Sequence, residues 1–88
     1  MKIKKDYITR TIAGETVVVP TGEAASRLNG MITLNETAAF IWKFLQEAHT
    51  KEELLEALLE EFEVDEACAQ ADIEGFTGML MENGMLEA

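Results

Sequence analysis

The period of the hydrophobic pattern changes once along this chain, near residue 35, and that change constrains the fold more than any other feature. Residues 6–34 are rich in Val, Ile, Thr and Tyr, in short runs broken by turn residues, which is the pattern of strands. Residues 35–83 carry helical spacing and repeated cap signals. Strands followed by helices, without alternation of the two, predict an α+β fold of three N-terminal strands and then three helices.

The strands are expected at Tyr7 to Ile12, Thr16 to Val19 and Met31 to Leu34. Ala13-Gly14-Glu15 turns the first into the second, Pro20 ends the second or marks a free edge, and Asn29-Gly30 is a turn signal before the third. In the first strand Tyr7, Thr9 and Thr11 alternate with Ile8, Arg10 and Ile12, so its buried face stays open. Asn35 is a good N-cap for the first helix, whose Ala38, Ile41, Trp42 and Leu45 form an apolar stripe beside Phe40 and Phe44. Thr50 to Glu53 fits a capping box, and the second helix should bury Leu54, Leu55, Leu58, Leu59 and Phe62. Asp65 caps the third helix, Ala69, Ile73, Phe76 and Leu80 make its core face, and Gly84 stops it in a left-handed cap. Met85-Leu86 turns back as an apolar tail.

Composition narrows the function. The length of 88 residues fits one domain spanning 1–88, with a thin core that leaves little room for a deep active site. Seventeen acids against seven bases give a net charge of -10, which disfavours nucleic acid as a partner. A transcription regulator that reads DNA with its third helix would need Lys or Arg there, and none stands between Asp65 and Asn83. The single Cys68 excludes an internal disulfide, and with the single His49 it excludes a Cys/His zinc cluster. No apolar run is long enough to cross a membrane, and no signal core follows the basic start. A soluble, cytoplasmic protein is expected, with no metal and no cofactor.

Candidate chemistry is sparse. No phosphate loop or dinucleotide fingerprint is present. His49 reads as a residue at the C-terminal end of the first helix, favourable to its dipole. Glu60, Glu61, Glu63, Asp65 and Glu66 lack the spacing of a calcium loop and read as a solvated face. Cys68, Ala71, Gly75 and Gly78 fall together on the third helix, away from its core face. Each Gly costs a helix about 1 kcal/mol relative to Ala, so this small-residue face is a candidate for close docking of a partner.

The string Leu34-Asn35-Glu36-Thr37-Ala38-Ala39-Phe40-Ile41-Trp42 is specific. With Leu45, Thr50, Glu53-Leu54, Asp72-Ile73, Phe76, Leu80 and Gly84-Met85-Leu86, it resembles the PqqD-like family, coenzyme PQQ synthesis protein D. The resemblance implies a winged helix-turn-helix-like fold, in agreement with the strands and helices read from period. It also implies a non-catalytic recognition element for ribosomally made, modified peptides. Such an element binds the leader of a precursor peptide and presents it to a modifying enzyme, which in PQQ synthesis is a radical SAM protein.

In that family the leader adds as a strand beside the third strand, over a groove shared with the third helix. Here the implied peptide-binding residues are Asn29, Gly30, Met31, Ile32 and Thr33 on the edge, and Asp72, Ile73, Phe76 and Met79 on the groove wall. Ile73 and Phe76 serve either the groove or the core, and Arg27 is either a contact for an acidic leader side chain or a solvated residue. A free strand edge pairs with a guest or with a second copy, so a monomer and a homodimer both stay open. The alternative to peptide capture is a small assembly subunit that docks on an enzyme.

Overall fold

The computed structural model describes residues 1–22 and 32–87. The chain begins with β1 (Lys2–Ile3), β2 (Tyr7–Ile12) and β3 (Glu15–Pro20), continues with β4 (Ile32–Leu34), and then forms α1 (Glu36–Phe44), α2 (Lys51–Glu61) and α3 (Glu66–Glu82) before β5 (Leu86–Glu87). β2, β3 and β4 make an antiparallel sheet in that order, with β3 central. The third strand expected from sequence is β4, which starts at Ile32; the expected start, Met31, lies outside the described residues together with Arg27, Asn29 and Gly30.

β2 and β3 are joined by a two-residue turn, with Ala13 at φ 53° and Gly14 at φ 82° between the paired Ile12 and Glu15. Two successive positive φ values are what a type I′ hairpin turn needs, because its twist matches that of the strands. The open question of the β2 face is settled by Tyr7, which is buried while Ile8 through Ile12 are exposed. Pro20 pairs with Tyr7 at the last position of β3, so it ends that strand.

All three helices start at the expected caps. Asn35 Oδ1 accepts from the Ala38 N–H at 2.8 Å, and Asp65 Oδ1 accepts from the Cys68 N–H at 2.7 Å. The capping box is complete: Thr50 Oγ1 accepts from the Glu53 N–H, and Glu53 Oε1 accepts from the Thr50 N–H. Asn83 closes α3, and Gly84 follows at φ 67°.

One apolar cluster joins the sheet to the helices through Tyr7, Val18, Leu34, Ile41, Trp42, Leu45, Leu54, Leu58, Ala69, Ile73 and Leu80. Each such large side chain, fully buried, contributes about 1.5–3 kcal/mol. Thr77 is buried among them, and its hydroxyl donates to the Ile73 carbonyl at 2.7 Å, so the helix itself satisfies it.

Three expectations need correction. The terminal segments are not merely a basic start and an apolar tail. β1 and β5 pair antiparallel, and Ile3 and Met85 enter the core, where the Lys4 N–H donates to the Met85 carbonyl at 2.9 Å. Leu59 is exposed, because the core face of α2 is the Leu54–Leu58 line and Leu59 lies one step round from it. α1 ends at Phe44, so His49 is not on that helix; it precedes the Thr50 cap, stacks on Phe44 at 4.0 Å and places Nδ1 3.5 Å from Glu53.

Candidate functional site

β4 is a terminal strand of its sheet, and among the described residues it pairs only with β3. Its second edge therefore presents backbone donors and acceptors without a partner strand among those residues. Ile32 is half-buried, Thr33 exposed and Leu34 buried, so the strand keeps a dry face and a wet face.

Where β4 gives way to α1, a groove of about 300 Å³ opens between α1 and α3. Asn35, Thr37, Ala38 and Ile41 form the α1 wall, and Ala71, Asp72, Gly75, Phe76 and Met79 form the α3 wall. The α3 residues recur at steps of four along one helical stripe. The small Ala71 and Gly75 leave the width, Phe76 and Met79 supply an apolar lining, and Asp72 is the one ionisable group in the lining. A Cβ at Gly75 would meet nothing within 4 Å, so the space above it is open.

This arrangement sorts the candidate residues. Asp72, Phe76 and Met79 line the groove, while Ile73 is 3% exposed and belongs to the core. Phe76 does both, being half-buried against the core cluster at the groove wall. Ile32 and Thr33 lie on the edge strand. The small-residue face is not separate from the groove, as sequence suggested. Ala71 and Gly75 sit inside the groove, because each is only one residue, about 100°, from Asp72 or Phe76 on the helix. Cys68 and Gly78 lie outside that lining, Cys68 exposed and Gly78 half-buried.

Cys68 is chemically quiet. A hydrogen bond to the Asp65 side chain, then the negative charges of Asp65 and Asp72, push its thiol pKa up. Among the described residues no three His, Cys, Asp or Glu side chains gather where they could hold a metal ion.

A terminal strand that, among the described residues, lacks a second partner and leads into an apolar groove with one carboxylate is suited to an extended peptide: the edge offers backbone bonds and the groove offers side-chain pockets. The family model for coenzyme PQQ synthesis protein D (PqqD) matches residues 13–86. The chain belongs to the PqqD family. PqqD-like proteins are recognition partners in peptide pathways.

Two solved structures share the fold along the whole length. One, described as TbiB1 in complex with the TbiA(beta) leader peptide, is 25% identical with a TM-score of 0.77, and the match covers 100% of this chain and 96% of that one. The other, lasso peptide synthetase B1 complexed with the leader peptide, is 25% identical with a TM-score of 0.74 and coverage of 99% and 96%. No curated protein matches the chain.

Sequence reasoning missed the α1 wall of this PqqD groove. Ala38 and Ile41 were assigned to the core stripe alone, and Asn35 to capping alone. The available signal was the breadth of the apolar surface on α1, more than one neighbour could cover.

Proposed function

We propose that this chain is a non-catalytic recognition module that takes the leader segment of a ribosomally made precursor peptide as an added strand on the outer edge of β4, and presents the peptide to a modifying enzyme. The reading is carried by one observation: β4, a terminal strand of its sheet, runs straight into Asn35, which lines the α1–α3 groove. The two solved relatives described with leader peptides support it. Ile32 and Thr33 on β4, with Asp72, Phe76 and Met79 on the groove wall, are the leader contacts; Asn29, Gly30 and Met31, also expected to contact the leader, lie outside the described residues.

The partner enzyme is a peptide-modifying one. A radical SAM protein is the candidate that the PQQ resemblance implies, while the name of one relative points to lasso peptide synthesis. Cys68 and Gly78, beside the groove, are the residues we assign to enzyme docking.

The test is an NMR titration of the full chain with the leader peptide encoded beside its gene. Amide shifts centred on residues 32–34 and on α3 are expected. No shifts there at high micromolar peptide, with retained binding to the enzyme, would make the chain an assembly subunit.

A further inference from the structure

We propose that Thr33 is the residue of β4 whose backbone bonds the incoming leader strand, and that it thereby fixes which leader side chains are read; this rests on the strand-addition reading above. Along a strand, successive residues direct their N–H and C=O groups to opposite edges. The register of the sheet therefore determines where each residue points.

Ile12 and Glu15 flank a two-residue turn, so they exchange hydrogen bonds with each other. Counting by twos, Val17 and Val19 also point toward β2. The 2.7 Å bond from the Thr21 N–H to the Asp6 carbonyl continues the same phase independently. Thr16 and Val18 must then point toward β4, where they face Leu34 and Ile32. Ile32 and Leu34 are thus occupied by β3. Thr33, between them, turns its donor and acceptor to the outer edge.

The same phase decides what the groove reads. An antiparallel guest residue opposite Thr33 carries its side chain on the same face as the exposed Thr33, away from the helices. The guest residues on either side of it turn to the face of Ile32 and Leu34, which is the face packed against the helices. Selection by the groove therefore falls on two leader positions separated by one residue that points away from it. With Phe76 and Met79 as lining and Asp72 as its charge, the groove takes large apolar side chains there and favours Lys or Arg over Asp or Glu beside them.

Amide hydrogen exchange on the full chain, with and without the leader peptide encoded beside its gene, tests this. In the free protein the Ile32 and Leu34 amides should exchange slowly and the Thr33 amide fast. Saturating leader should slow Thr33 by at least about tenfold. Thr33→Pro should weaken the leader by at least about tenfold while keeping the β3–β4 bonds, and Ile32→Pro should instead lower stability by removing its bond to Val18. Alanine replacements along the leader should show losses at alternate positions. A leader that binds while Thr33 exchange stays unchanged overturns the assignment and leaves strand addition standing. A leader that does not bind at all overturns strand addition, and this assignment with it.

Discussion

Tyr7 meets Trp42 edge-on, with ring centroids 6.4 Å apart and planes at 89°. Tyr7 is the one buried residue of β2, so this contact holds the base of the hairpin to α1 while the rest of β2 extends into solvent. Trp42→Ala should cost about 3–5 kcal/mol in urea unfolding, since it removes both the contact and its volume from the core. The coupling of Tyr7 to Trp42 in a double-mutant cycle should be about 0.5–1.5 kcal/mol. Additive single losses would show that the two rings act separately.

The hairpin turn holds an alanine in the left-handed region, at φ 53°. Asn tolerates that conformation better than Ala and is the preferred residue before Gly in such turns. Ala13→Asn should raise stability by about 0.5–1 kcal/mol, read as a shift of the denaturant midpoint at constant slope. The substitution touches no residue of the candidate site, so leader affinity should not change.

Two exposed carboxylates titrate below their ordinary range. The Thr50 backbone N–H bonded to Glu53 lowers the first, and the Cys68 backbone N–H bonded to Asp65 lowers the second. A depressed folded-state pKa contributes stability that is present above the unfolded-state pKa and is lost as pH falls through the folded value. The melting temperature should therefore fall as pH drops below about 4. Asp65→Asn, which keeps the acceptor and removes the charge, should flatten that fall. An unchanged pH profile would show that the cap charge contributes nothing.

Asp65 also controls Cys68. The thiol is exposed, yet the hydrogen bond to Asp65 and the acidic surroundings hold it protonated. Its reaction with an aromatic disulfide reagent at pH 7 should be slower than that of a free model thiol, and Asp65→Asn should accelerate it. Equal rates in both proteins would contradict the assignment.

Gly75 separates packing from binding. Nothing of the chain lies within 4 Å of a Cβ there, so Gly75→Ala should stabilise α3 by about 0.5–1 kcal/mol through helix propensity. Gly75→Leu should project into the groove and reduce leader affinity at least about tenfold without lowering the melting temperature. Loss of stability in the leucine variant would place close packing where the structure has open space.

The helices were legible because their starts are local chemistry. Asn35, Thr50 and Asp65 each bond an N–H three residues on, and that spacing is visible in the sequence. The Tyr7–Ile12 strand was legible for a similar reason, being fixed by a turn of two residues. β1 and β5 were not, because two residues carry no period, and their partners, Lys2 with Glu87 and Ile3 with Leu86, stand at opposite ends of the sequence, where only tertiary packing brings them together. The groove was half legible. Asp72, Phe76 and Met79 on the α3 wall came from the family resemblance, since the helix wheel alone put Phe76 on the core face and Ala71 and Gly75 on a separate face; the α1 wall depends on how two helices sit against each other, and no single-helix pattern contains that. Thr77 escaped for another reason: its hydroxyl is satisfied by its own helix, so a polar residue occupies a core position without a partner elsewhere.

The clasp between residues 2–3 and 86–87, where Lys2 faces Glu87 and Ile3 faces Leu86, brings both ends of the fold within a strand spacing of each other. A circular permutant follows from that proximity. A short glycine linker would join residues 2 and 87, and new termini cut between Ala13 and Gly14 would fall at a solvent-facing tip, leaving β4 and the helical scaffold intact for fusion to an enzyme of choice.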